Sequence, residues 1–288
     1  MIMAGESRLR KLLTGKPGPG VTRIGLGGEG ILRTTGRDEE ALAMLDAAYR
    51  SGIRYYDSAV AYADSERYQG IFWRNRPGWM QETYQAGKSA RRDYRGAMAE
   101  LHRTLERLGR DTIDLWQIHD VRTQGDIRAI EAKDGALRAF AEAKETGLVR
   151  GIGVTGHYDP EVIRYAVRHW PVDAVLLPVN PVEAAIGGFL DETIPAAREQ
   201  GVGVIGMKTL GAGNFIFPDA GLTPEILFRF ALAQDTDLII VGCGTPAEAR
   251  ALAELGENPA PMGEEEQDGI VELIRPYAER LAFYRGPI

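Results

Sequence analysis

Eight short apolar runs, each separated from the next by a longer stretch of helical period, govern what this chain can fold into. The runs are VTRIGLG, IRYYD, MQETYQAG, TIDLWQIH, VRGIGVT, VDAVLLPV, GVGVIGM and LIIVGC. Between them lie segments such as EEALAMLDAAYRSG, YRGAMAELHRTLERLG and DGALRAFAEAKETG, with apolar residues on one helical face. Strands that alternate with helices pair in parallel, because each helix carries the chain back to begin the next strand. Eight such units in 288 residues predict an α/β fold of the closed (β/α)8 type. Gly52, Gly109, Gly147 and Gly201 each follow a helical run, where a left-handed residue ends a helix. Asp159-Pro160, Thr223-Pro224 and Thr245-Pro246 read as an N-cap followed by proline at the first helical position.

No Ser/Gly-rich linker or shift in composition divides the chain, so residues 1–288 read as one barrel domain. Residues 1–20 read as an extension. Residues 263–288 read as one amphipathic helix packed on the barrel, too short to grip a substrate, which leaves the mouth open. The formal charge of −7, from 34 basic and 41 acidic side chains, argues against nucleic acid as a partner. Cys243 is the only cysteine, which excludes an intrachain disulfide and a four-cysteine cluster. No run approaches the ~20 apolar residues of a membrane span, and the basic N-terminus lacks a signal-like apolar stretch. The cytoplasm is the expected compartment.

Asp57, Tyr62, Lys88 and His119 each fall at the end of a successive predicted strand or in the loop that follows. In a parallel barrel those ends converge on one mouth, where catalysis occurs. An acid, a phenol, an amine and an imidazole gathered there make a proton relay. An ammonium held by a carboxylate can lower the pKa of a neighbouring phenol. Two nearby patterns read differently. Gly25-Leu26-Gly27-Gly28-Glu29-Gly30 has the letters of a dinucleotide fingerprint, but no helix opens at its last glycine. Tyr84 and Lys88 have Tyr-x-x-x-Lys spacing, but on a strand they lie ~13 Å apart, which makes Tyr84 a core residue. Trp73, Trp79, Trp116, Phe215 and Phe217 are candidate pocket aromatics, although such spacings are more usual for core.

The spacing Asp57-x4-Tyr62 within DSAVAYADSE resembles the D-T-A-x-x-Y-G-N-S-E block of the aldo-keto reductase family, and the likeness runs over residues 21–255. The resemblance implies hydride transfer between a nicotinamide cofactor and a small carbonyl or alcohol, with Tyr62 as general acid/base, Lys88 and Asp57 behind it, and His119 orienting the carbonyl. It implies a cofactor stretched across the mouth, with Gly28 close to the nicotinamide. Thr155 and Gly156 stand where the family often has Ser-Asn, and Leu176 stands where it often has glutamine. Thr155, His157 and Asn180 become the candidates for the carboxamide. Met207 replaces a stacking aromatic, and Lys208, Leu210, Gly211 and Gly213 fall in a pyrophosphate loop. In the last unit Gly242, Cys243 and Gly244 replace the basic pair of NADP-binding members. That leaves the helix start at Gly244 and Thr245, and Arg250, to read a phosphate. NADP(H) follows from family habit, and NAD(H) from these replacements. Two other readings stay open: a Schiff-base lyase using Lys88 or Lys208, and a cofactor-binding sensor whose chemistry is vestigial.

Overall fold

The computed structural model describes residues 6–257, 260 and 262–286. Its strands are β1 (Ile24–Gly30), β2 (Tyr55–Asp57), β3 (Tyr84–Ser89), β4 (Ile113–Ile118), β5 (Val149–Thr155), β6 (Ala174–Pro178), β7 (Gly203–Met207) and β8 (Leu238–Cys243). Each overlaps one of the eight apolar runs. All pair in parallel in sequence order, and β1 closes the ring against β8 with Ile24 opposite Ile239. The helices are α1 (Arg8–Leu12), α2 (Asp38–Arg50), α3 (Ser65–Arg74), α4 (Pro77–Glu82), α5 (Tyr94–Leu108), α6 (Gln124–Glu131), α7 (Ala136–Glu145), α8 (Pro160–His169), α9 (Pro181–Ile186), α10 (Ile194–Glu199), α11 (Pro224–Ala233), α12 (Pro246–Glu257), α13 (Glu264–Ile274) and α14 (Ala278–Leu281). The four helix-ending glycines have left-handed φ of 95°, 66°, 77° and 66°. All three predicted caps accept a backbone hydrogen bond: Asp159 from Glu161, Thr223 from Ile226 and Thr245 from Glu248.

Alternation along the strands separates two cores. Tyr55, Tyr84, Ala86, Leu115, Leu176 and Ile205 fill the barrel interior. Tyr56 and Trp116 point outward, Tyr56 onto Trp73 and Trp116 flat on Phe140, with ring centroids 3.6 Å apart. Tyr55 fits inside because β1 presents Gly25, where a Cβ would stand 2.7 Å from Tyr55 Cδ1. Tyr84 is core, as its strand position predicts. The pocket reading of the aromatics fails for four of the five. Trp73, Trp116 and Phe215 are fully buried in cores, and Trp79 stacks on Tyr49 at 4.1 Å. Only Phe217 is exposed, at 48%.

Both chain ends do more than the sequence suggests. Leu9 and Leu12 of α1 enter the bottom of the barrel. Gly203 and Gly151 make room for them, since a Cβ at either would come within 2.1 Å of Leu9 or 2.3 Å of Leu12. Ser7 Oγ and Arg10 Nε lock the plug by donating to Asp237 Oδ1 at 2.9 and 3.1 Å. Full burial of one leucine is worth about 1.5–3 kcal/mol, so the described part of this segment caps the barrel rather than extending from it. Residues 1–5 lie outside the described residues.

The tail is not one helix. A 3₁₀ turn, Arg275–Tyr277, separates α13 from α14, and Pro276 in that turn has no N–H to continue the ladder. Beyond α14 the chain crosses the rim. The Tyr284 hydroxyl donates to Glu183 Oε1 at 2.7 Å, and Arg285 pairs with the same, fully buried carboxylate. This strap covers one side of the mouth that the sequence reading left open. Residues 287 and 288 lie outside the described residues.

Candidate active site

Asp57 and Lys88 are the last inward-facing residues of β2 and β3, in step with Tyr55 and with Tyr84 and Ala86. Each is 1% exposed. Lys88 Nζ makes a close ion pair with Asp57 Oδ2 and donates to the Ser58 carbonyl at 2.9 Å. It also lies 4.8 Å from the centroid of the Tyr62 ring, close enough for each group to shift the other's pKa. His119, just past β4, meets Tyr62 edge to face at 5.6 Å. All four predicted residues therefore converge.

A buried scaffold holds them. Gln69 Nε2 donates to the Asp57 carbonyl at 2.9 Å and Gln85 Nε2 to Gln69 Oε1 at 2.8 Å, while Gln117 Nε2 reaches Asp57 Oδ1 at 3.5 Å. The His119 amide donates to Ser89, and Arg92 binds the carbonyls of His119 and Asp120 at 2.8 and 2.7 Å. A Cβ on Gly28 would meet the Asp57 carbonyl at 2.7 Å and Tyr62 Cδ2 at 2.9 Å. Gly28 thus leaves the room that Asp57 and the Tyr62 ring occupy. Arg33 lies 5.2 Å from the other participant in that packing, the Tyr62 ring, and pairs with Glu29 at 2.7 Å.

Burial is the largest influence on every titrating group here. It raises Tyr62, with Lys88 pulling the other way. The lowering expected from Lys88 is present, but desolvation outweighs it. Lys88 itself stays above its ordinary value, because Asp57 and Tyr62 together overcome its desolvation. Burial, then the Lys88 charge, pushes His119 down to about 3. The imidazole should therefore remain neutral well below its ordinary pKa of about 6.5. Between those two values the unfolded chain binds the extra proton, so stability gained from neutral His119 is lost as pH falls through that window. Carbon-13 NMR of the histidine ring should show no titration of His119 near pH 6; an ordinary midpoint there would remove this reading.

The structure redistributes the predicted cofactor residues. Thr155 faces inward at the end of β5, and Met207, half-buried, tops the interior at the end of β7. Asn180 is fully buried with its amide engaged. It donates to Lys208 O at 3.2 Å and to the Tyr284 hydroxyl at 3.0 Å, and accepts from Glu183 N at 3.1 Å, so it caps α9 and anchors the strap. Gly156 donates to Leu176 O, and a Cβ there would stand 2.4 Å from Ile163, which explains glycine where the family often has asparagine. His157 bonds the Tyr284 carbonyl through Nδ1 at 2.7 Å and stands 3.4 Å from Asp120. Lys208 has a left-handed φ of 56° and lies under the Tyr284 ring at 5.3 Å, with burial lowering its pKa.

In the loop after β7, Leu210 packs on the core, and the amides of Gly211 and Gly213 close turns onto Lys208 O and Leu210 O. Gly211 also makes way for the Phe215 ring. Those two amides are therefore not free phosphate donors as expected. Thr209 Oγ1, however, is buried without a hydrogen-bond partner, and nothing lies within 4 Å of a Cβ position on Gly213. A buried hydroxyl with no protein partner is a feature that calls for an explanation. Arg250 lines a groove with Pro246, Asp46, Arg50 and Arg76 between α12 and α2. The start of α12 is closed by Glu248, which accepts from Gly244 N at 2.7 Å. The sequence reading missed Glu248, Tyr284, Glu183 and Arg285. Thr245-x-x-Glu248 is a capping-box spacing that could have revealed the first; no local signal marks the others, which meet across about a hundred residues of chain.

A closed parallel barrel with an ammonium–carboxylate pair beneath a phenol, beside a neutral imidazole, defines a class of proton-transfer sites at the strand ends. The family model described as Aldo/keto reductase family matches residues 23–218, and this chain belongs to that family. It is 30% identical over 207 residues to Aldo-keto reductase str7 of Strobilurus tenacellus, covering 67% of this chain and 59% of the relative. It is 26% identical over 206 residues to D-threo-aldose 1-dehydrogenase of Pseudomonas sp, covering 61% of each. The chain thus spans about three-fifths of the length of these two relatives. Its fold matches an aldo-keto reductase from Klebsiella pneumoniae in complex with NADPH, at a TM-score of 0.73 and 18% identity, over 89% of this chain and 92% of the other. Cys243 is an inert core thiol, pushed up to about 12 by burial. No helix among the described residues is long and apolar enough to cross a membrane.

Proposed function

We propose that this chain is an oxidoreductase that moves a hydride between a nicotinamide cofactor and an aldehyde, ketone or sugar. The observation that carries it is the buried Lys88–Asp57 pair packed against Tyr62, with Lys88 Nζ 4.8 Å from the ring centroid and neutral His119 alongside. When bound, the cofactor supplies or takes the hydride. Tyr62 donates its phenolic proton to the carbonyl oxygen in reduction and receives it back in oxidation. Lys88 stabilises the phenolate left behind, and Asp57 keeps Lys88 charged and aimed. His119, neutral, donates a hydrogen bond to the same carbonyl oxygen and orients it. Thr155 and Met207 flank the top of the barrel where a nicotinamide would lie, and Lys208, Thr209 and Gly213 offer contacts to a pyrophosphate. The name of the Pseudomonas relative supports an aldose among the substrates.

Lys88 fits a Schiff-base amine poorly, since its raised pKa keeps it protonated and unreactive. The vestigial-sensor reading predicts nucleotide binding without turnover. Titrating the purified protein with NADH and NADPH, then assaying aldehydes, ketones and aldoses, tests the proposal. Binding with turnover supports it. Binding without turnover across the panel favours the sensor, and the absence of binding removes both.

A further inference from the structure

Resting on the oxidoreductase reading above, we propose that Gln117 is a positioning residue for the reaction. Its amide holds the oxygen of Asp57 that Lys88 does not take, which keeps the carboxylate charged and Lys88 aimed at Tyr62. β3 stands between β2 and β4, and Gln117 is the ladder partner of Lys88. Gln117 therefore faces the barrel interior beside Lys88, in step with Leu115 on its own strand. It is fully buried. Opposite it on β5 stands Gly153, where a Cβ would come within 3.0 Å of Gln117 Cγ, so that strand leaves room for the side chain. Leu115, Leu176, Ile205 and Leu238 fill the interior elsewhere. An amide among them is less favourable than a leucine unless its polar atoms are used. Nε2 stands 3.5 Å from Asp57 Oδ1, while Lys88 takes Oδ2. A carboxylate only accepts hydrogen bonds, so the nitrogen of the amide must face it and not the oxygen. Oε1 is turned away and has no hydrogen-bond partner among the described residues. At 3.5 Å the contact to Asp57 is long, as hydrogen bonds of a reacting site often are before its ligands bind. Burial drives the Asp57 carboxyl toward its neutral form, against the Lys88 charge. A donor on the second oxygen opposes that drift. Gln117 thus acts on Tyr62 only through Asp57 and Lys88.

Steady-state kinetics of the full chain, in wild type, Gln117→Leu and Gln117→Glu, test the assignment. Leucine fills the same space without a donor. It should lower kcat by about tenfold, the low end of what one hydrogen bond to a charged group is worth, and leave KM for the carbonyl unchanged. The pH profile of alcohol oxidation should move to the alkaline side, because a less charged pair stabilises the Tyr62 phenolate less. A glutamic acid beside Asp57 keeps its proton, since burial and a like charge both oppose its ionisation. Its O–H can donate where the amide did, so Gln117→Glu should restore most of kcat at neutral pH. A purely structural Gln117 would change stability and leave the profile where it was. Gln117→Leu with the kcat and profile of an active wild type overturns the assignment alone, and so does Gln117→Glu as impaired as Gln117→Leu. Should the leucine variant not fold, Gln117→Met puts the same question. Folded wild type that turns over no carbonyl or alcohol overturns the oxidoreductase reading and this assignment together.

Discussion

Tyr62→Phe is expected to slow carbonyl reduction by about 10²–10⁴-fold, the usual worth of a positioned general acid, while nucleotide affinity stays near wild type. The substitution removes one oxygen and leaves the ring, which packs on Gly28, meets His119 edge to face and lies beside Arg33. The fold around it should persist, because Lys88 retains Asp57 and the Ser58 carbonyl. Single-turnover reduction with pre-bound cofactor isolates the chemical step. Turnover near wild type in that assay would take Tyr62 out of the mechanism.

Lys88→Met should silence the enzyme as fully and also weaken the fold. Asp57 would be left buried without the ammonium it pairs with, Gln117 Nε2 standing 3.5 Å from its carboxylate. Removing one member of a buried ion pair costs about 3–5 kcal/mol, which urea denaturation would register. Catalysis suffers separately. Burial already raises the Tyr62 pKa, and Lys88 is the main influence lowering it. Without the ammonium, the phenolate needed for alcohol oxidation forms only at still higher pH. The oxidation profile of the folded variant should therefore move to the alkaline side, and an unmoved profile would make Lys88 purely structural.

The contrast among the predicted residues is physical. Asp57, Lys88 and His119 were legible because strand ends in a parallel barrel must converge, whatever the intervening helices contain. Tyr62 was legible from its spacing to Asp57 in a loop too short to wander. Asn180, Gly156 and Gly28 lie near the mouth as expected, but the Asn180 amide is engaged by Tyr284, and Ile163 and the Tyr62 ring fill the space beside the two glycines. No sequence pattern announces partners that lie so far along the chain.

The sequence by itself determined the eight alternating units, the helix stops at left-handed glycines, the three capped helix starts and the order of the catalytic side chains. These follow from periodicity and backbone stereochemistry, which act over a few residues. Only the tertiary structure decided that the first helix plugs the barrel floor and that Tyr284 and Arg285 strap the rim to Glu183. Those outcomes depend on which distant surfaces meet when the ring closes. They depend equally on the balance at each meeting between desolvation and charge, which raises Tyr62 while keeping Lys88 protonated beneath it.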